Sequence, residues 1–288
     1  MKKYLFLFLF SSLLISCHTR KDDIEPEVPD ELPCLCGDDW SVPYELPCRC
    51  GDEWPFEEFS CTNELPWYYP VIPGSDEWEQ ILTLEERIAV CEIPEEVLSS
   101  LSTEDLISIY MHNPFLGTII TEYPPEERGL DMFFTYYNGF RELFQREDVL
   151  KGLLNWYGWA MQNMSTILRE ETPMGEQVFL VGGIARMEVL LAHYQSQDTG
   201  NKEEYIKIMK CLYYVYENKL LYPVAFGALN IGYSLYSRAK TMIKIDEQIL
   251  ELIPGTYQNI IFFIPETYDR YDKQTRRVID ELSCQFIY

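Results

Sequence analysis

Histidine is scarce, with three in 288 residues, and each has a structural setting: His18 adjoins Cys17, His112 precedes the Asn113-Pro114 turn, and His193 falls near a helix end. None sits in a pattern that marks a general base or a metal ligand. The chain also lacks G-x-S-x-G, H-E-x-x-H, a P-loop and G-x-G-x-x-G, which removes the usual signatures of serine hydrolases, zinc proteases and nucleotide binding. Only a pair of carboxylates of the glycosidase kind stays open, because such a pair is defined by separation in space rather than by a motif. The chain therefore reads as a non-enzyme with no cofactor. Positive charge is short as well: 23 Lys and Arg stand against 47 Asp and Glu, a net charge of −24. Nucleic acid and anionic lipid surfaces would be repelled, so neither is expected as a partner. With 47% apolar and 15% aromatic residues, the chain is nonetheless no disordered polyelectrolyte.

The first residues carry an address. Lys2 and Lys3 precede an apolar run from Tyr4 to Ile15, too short to span a bilayer as a helix. A small residue and a cysteine follow, so residues 1–16 read as a signal peptide. The sequence Leu14-Ile15-Ser16-Cys17 resembles the lipobox of bacterial lipoproteins. That resemblance implies cleavage after Ser16 and acylation, palmitate included, of Cys17, with the two or three chains that make membrane attachment stable where one chain would not. The residue after Cys17 is His18 rather than the Asp that favours inner-membrane retention. Lys21-Asp22-Asp23 resembles the short charged signals of surface-exported Bacteroidota lipoproteins. The expected location is the outer membrane, anchored in its lipid, at the cell surface or, as the alternative, on the periplasmic face.

Residues 17–75 form an acidic stalk. Between Lys21 and Gln80 lie nine of the 17 prolines and four of the six tryptophans, but only two cations, Lys21 and Arg49. A unit Leu-Pro-Cys-x-Cys-Gly-Asp-[Asp/Glu]-Trp occurs twice, at residues 32–40 and 46–54. Cys34 with Cys36, and Cys48 with Cys50, point to one side of an extended chain. Their Cα atoms are then too far apart for an easy bond within one unit, so disulfides between the units are the favoured geometry. A zinc site is the alternative, although a one-residue spacer is narrower than structural zinc sites use. Cys61 could pair with Cys91 or with another chain, and Cys211 reads as a small buried thiol. Trp40, Trp54 and Trp67 either pack the stalk on itself or offer aromatic platforms to a sugar.

Residues 76–288 change grammar, to apolar spacings of three and four. Thr83 with Glu86, and Ser102 with Asp105, spell helix starts, and Pro94 suits a first helical position. The stretch "DMFFTYYNGFRELFQR" puts Phe133, Tyr136, Tyr137, Phe140, Leu143 and Phe144 on one face of a single helix, and a second stripe follows a cap at Asn201. Gly182, Gly183, Gly227 and Gly232 inside helical stretches suggest close approach of neighbouring helices. Thr256–Ile264 has the content of a short strand. The predicted fold is all-α, stacked antiparallel hairpins in a bundle or superhelix, after an irregular stalk.

Ile93-Pro94-Glu95, Leu98 to Thr103, Asn113-Pro114 and Asn138 to Asp148 together resemble a family of Bacteroidota extracytoplasmic proteins. The likeness is good over roughly residues 80–160 and loose elsewhere. It implies an all-helical exported domain and transfers no catalytic residue. The expected function is a membrane-anchored interaction or scaffold module with a protein partner; the alternative is a glycan-binding accessory protein that uses the tryptophans or an aromatic groove of Tyr213, Tyr214 and Tyr216 on polysaccharide.

Overall fold

A computed structural model of the chain describes residues 65–115, 126–196, 201–252 and 273–287, and these are helical with no strand among them. The Thr256–Ile264 stretch lies outside the described residues. Short helices come first: α1 (Asp76–Gln80), α2 (Leu84–Ala89), α3 (Glu95–Leu98), α4 (Thr103–Met111), α5 (Glu126–Tyr136) and α6 (Asn138–Gln145). Longer ones follow: α7 (Val149–Gln162), the single turn α8 (Met164–Ile167), α9 (Met174–His193), α10 (Lys202–Leu220) and α11 (Pro223–Ile245), then α12 (Ile249–Leu252) and α13 (Lys273–Ile287). The stacked helical architecture predicted from periodicity is the one observed.

The capping boxes form as their spacing requires. Thr83 Oγ1 accepts from the Glu86 amide at 3.2 Å, and the Glu86 carboxylate accepts from the Thr83 amide at 3.3 Å. Ser102 and Asp105 do the same at 3.1 and 2.9 Å, so the first amides of α2 and α4 are satisfied locally. Pro94 stands one place earlier than predicted, as the cap residue before Glu95.

One predicted helix is two. "DMFFTYYNGFRELFQR" breaks at Tyr137, whose backbone is extended (φ −105°, ψ 111°), and Tyr136 faces solvent instead of the core. The cause is a tertiary clamp at the next residue. The Asn138 side chain accepts from the Ile93 amide (3.0 Å) and donates to the Ile93 carbonyl (2.7 Å), as a neighbouring strand would. Gly139 must be bare there, since an added Cβ would lie 2.6 Å from Ile93 Cδ1.

That clamp is the first of a series. Arg146 Nη1 donates to the Leu101 carbonyl at 2.7 Å, Thr103 Oγ1 donates to the Asp148 carboxylate, and a Cβ on Gly152 would meet Ile107 Cδ1 at 2.7 Å. In every case the partners are 45 residues apart. Residues 93–107 and 138–152 therefore run alongside each other in the same direction and in constant register. Ile93–Glu95, Leu98–Thr103 and Asn138–Asp148 lie on these two tracks, whereas Asn113-Pro114 lies between them in the chain.

The second track runs on into α7, which is buried on nearly all sides and so sits at the centre, between the early helices and the long ones. Gly183 of α9 allows the close approach predicted for it: a Cβ would stand 2.7 Å from Trp156 and 3.1 Å from Met111. Gly182 and Gly227 serve other ends. The atoms nearest a Cβ at Gly182 belong to Arg186 of the same helix, and at Gly227 the space is open. Gly227 instead adopts φ 54°, ψ −177°, kinking α11 through a backbone region open essentially to glycine alone. Helices α10 and α11 form an antiparallel hairpin across Leu221 and Tyr222, while α9 and α11 run parallel with contacts at offsets of 46 and 47 residues. Trp67, Tyr69 and Val71, assigned by composition to the stalk, pack against the core ahead of α1.

Gly227→Ala is expected to destabilise by about 1–3 kcal/mol through backbone strain despite the open space around it. Gly175→Ala, equally unobstructed but with no such strained backbone, is expected to be neutral or stabilising by up to about 1 kcal/mol. Urea denaturation of the two variants checks the contrast.

Candidate functional site

The polar chemistry inside the described residues gathers where α7, α9, α10 and α11 meet. Glu188 of α9 and Lys219 of α10 pair at 2.7 Å, both side chains 0% exposed. Lys219 uses all three of its protons: the others go to Ser234 Oγ at 2.9 Å and to the Asn230 carbonyl at 3.2 Å. Glu188 also accepts from the Tyr157 hydroxyl (2.9 Å) and from Ser234 Oγ (2.7 Å), so one carboxylate ties side chains from three other helices. Burial pushes the Lys219 ammonium below its ordinary pKa while Glu188 pulls it back, and burial beside Glu188 holds Tyr157 firmly protonated.

A second layer lies beside the first. Arg238 of α11 pairs with Asp280 of α13 at 2.8 Å, donates to Ser283 Oγ at 3.1 Å and to the Ser234 carbonyl at 3.3 Å, and lies 3.8 Å from the ring centre of Tyr216. Arg276 Nε donates to the Tyr216 hydroxyl at 2.9 Å. Glu217 is buried next to this layer, and one of its carboxylate oxygens has no protein partner. Desolvation raises its pKa to about 8, against the opposing pull of Tyr213 and Arg238.

Glu188, Lys219 and Arg238 are fully buried, and each is paired within the network. Cys91 and Cys211 are free buried thiols, and burial pushes Cys91 up to about 12 and Cys211 higher still, so neither is a nucleophile at neutral pH. A cavity between Tyr69, Cys91, Tyr110, Asn113 and Tyr137 has a volume near 20 Å³, room for one water molecule and no more. Among the described residues, no group of three His, Cys, Asp or Glu side chains is placed to hold a metal ion, and no helix is long and apolar enough to cross a membrane.

The residues singled out from sequence scatter. Ser16, Cys17, Cys34, Cys36, Cys48, Cys50, Cys61, Trp40 and Trp54 lie outside the described residues. Trp67 is half-buried and packs edge-on against Tyr69 with ring centres 4.8 Å apart, and Tyr69 in turn donates to the Ile109 carbonyl and accepts from Asn113 Nδ2, each at 3.2 Å. Tyr213 and Tyr216 do not line a groove: both are buried, held by Arg238, and closed off from any sugar. His112 is exposed and pairs its Nδ1 with the Ser108 carbonyl; His193 gives Nδ1 to the Val189 carbonyl and accepts from Lys240 at Nε2, 2.7 Å. Glu188, Lys219 and Arg238 went unnoticed in the sequence. The available signal was a charged residue on the apolar side of an otherwise periodic helix, as in "RMEVLLAHY". Comparison with protein-family models, with curated proteins and with solved structures gives no match.

Lys219→Met, which strands Glu188 in the core, is expected to cost roughly 3–5 kcal/mol, and the double variant Glu188→Leu/Lys219→Met to recover most of that loss. Urea denaturation midpoints at constant slope provide the measurement. Glu217 sets a pH dependence. Its folded pKa is raised, so its contribution is fully favourable below about pH 4.5 and is lost as pH rises toward 8. Across that window it takes away about 1.4 kcal/mol per pH unit. Glu217→Gln is expected to flatten this part of the stability profile and to exceed the native chain in stability at pH 9, as followed by thermal melts across pH.

Proposed function

We propose that the chain is an extracytoplasmic lipoprotein, acylated on Cys17 after cleavage behind Ser16, and that its helical domain is a protein-interaction module held at the outer membrane, facing the cell surface. The Leu-Ile-Ser-Cys sequence and the charged, apolar, small-residue order before it support the anchor. The likeness of Ile93 to Asp148 to Bacteroidota extracytoplasmic proteins supports the exported setting. The domain's closed polar interior favours a scaffold over a catalyst.

The observation that carries the interaction reading is an apolar end on the long-helix bundle. Met174 and Val178 on the first turns of α9 are 79% and 63% exposed, and Val224 at the start of α11 is 98% exposed. Leu221, in the turn before it, is also exposed. Because α9 and α11 run parallel, their first turns lie toward the same end of the bundle. Single exposed apolar residues are ordinary, but four at one end of a domain with a net charge of −24 form the kind of surface a partner covers.

Metabolic labelling with a palmitate analogue is expected to mark the native chain and to leave Cys17→Ser unlabelled and unprocessed; labelling that survives the substitution removes the anchor. A photo-crosslinking residue at Val224 in living cells is expected to yield a discrete protein adduct that Val178→Glu abolishes, with a stability change under about 0.5 kcal/mol at so exposed a site. An absent adduct, or one indifferent to Val178→Glu, counts against docking at this end.

A further inference from the structure

Two tyrosine hydroxyls are buried with nothing in the protein to bond to. Tyr110, on α4, is 4% exposed and Tyr137, at the break between α5 and α6, is 3% exposed, and neither hydroxyl has a protein partner among the described residues. A buried phenol ordinarily finds a partner for its hydroxyl, because a donor stripped of water without replacement is costly to the fold. Phenylalanine would fill either place at no such cost.

Both residues line one cavity, together with Tyr69, Cys91 and Asn113, and its volume is near 20 Å³. A water molecule needs roughly 10–15 Å³ and two to four polar partners, whereas a cavity walled by apolar groups alone stays dry. Both conditions for water are met here. The hydroxyls of Tyr110 and Tyr137 each have a proton and two lone pairs to offer. The Tyr69 hydroxyl donates to the Ile109 carbonyl and accepts from Asn113 Nδ2, each at 3.2 Å, which leaves it one lone pair. Anything larger than water is excluded by the volume, and the rest of the wall includes core side chains such as Phe133 and Ile109, 0% and 1% exposed.

The cavity also adjoins the clamp between the two tracks. Ile93 and Gly139, which meet closely there, belong to its wall. Tyr137 directly precedes Asn138 and carries the extended backbone that separates α5 from α6.

We propose that this cavity is the binding site of a single ordered water molecule, bonded to the hydroxyls of Tyr110 and Tyr137, that joins α4 to the break between α5 and α6. The water adds a polar link beside the two hydrogen bonds of Asn138 to Ile93, and it gives both phenols a reason to be there. The site is independent of the membrane anchor and of the apolar end.

Oxygen-17 magnetic relaxation dispersion on the intact chain counts the water molecules held long enough to tumble with it. The double variant Tyr110→Phe/Tyr137→Phe removes both hydroxyls while keeping the rings, and is expected to lower that count by one. A crystal structure of the native chain is expected to show one water within about 3.2 Å of both hydroxyl oxygens. Each single variant is expected to lower the folding equilibrium constant, and the double variant to lower it by less than the product of the two single effects, by a factor of about three or more. An unchanged dispersion amplitude in the double variant, two hydroxyls bonded directly to each other with no water between them, or single effects that simply multiply each overturns the site. The native crystal structure decides alone where a variant does not fold.

Discussion

The long-helix half of the domain is organised around the contact between Glu188 and Lys219. Two opposite charges removed from water cost several kcal/mol each, and they persist only because every donor and acceptor they carry is used. That condition dictates positions on four helices at once. Ser234 must face both charges, Tyr157 must present its hydroxyl from α7, and the Asn230 carbonyl must be within reach of the ammonium. A shift of either helix by a turn would leave a buried charge without its partner. The Arg238 layer extends the same constraint to α13, so the last helix is placed by hydrogen bonds as much as by its apolar stripe.

How much of this could be read beforehand varied with the range of the interaction. Local signals were legible. The Thr83 and Ser102 capping boxes depend on residues three apart, and both formed where their spacing put them. The apolar periodicity of α10 was equally plain. What failed was anything set by a distant partner. Helical spacing alone ran Phe133 to Phe144 together as one face, and nothing nearby announces that Asn138 will bind the backbone of Ile93 and break the helix. Gly227 was grouped with Gly183 because both interrupt apolar stretches, yet one permits contact and the other bends the chain. The charged core residues were hidden for the same reason, since a lysine near a helix end looks solvated until the residues that bury it are known.

The motifs that suggested a family resemblance acquire a physical meaning from these contacts. Asn138, Gly139, Arg146 and Asp148 hold the first track against the second, so their place in the sequence is accounted for by packing. Residues of the stalk's end take part as well: Tyr69 bonds to both Ile109 and Asn113, and Trp67 leans on Tyr69. A pull on the proposed anchor would therefore be felt first by α4, the helix that ends the first track.

The constant 45-residue offset also bears on how this chain can vary in length. Residues inserted in the excursion from one track to the other, beyond the buried end of α4, leave each clamp facing its partner. A single residue inserted between 94 and 100 would carry Ile93 out of step with Leu101, Thr103 and Ile107, so that no one alignment of the tracks could close all four contacts. Length polymorphism in relatives of this fold should thus be confined to the excursion, with the tracks themselves free of gaps.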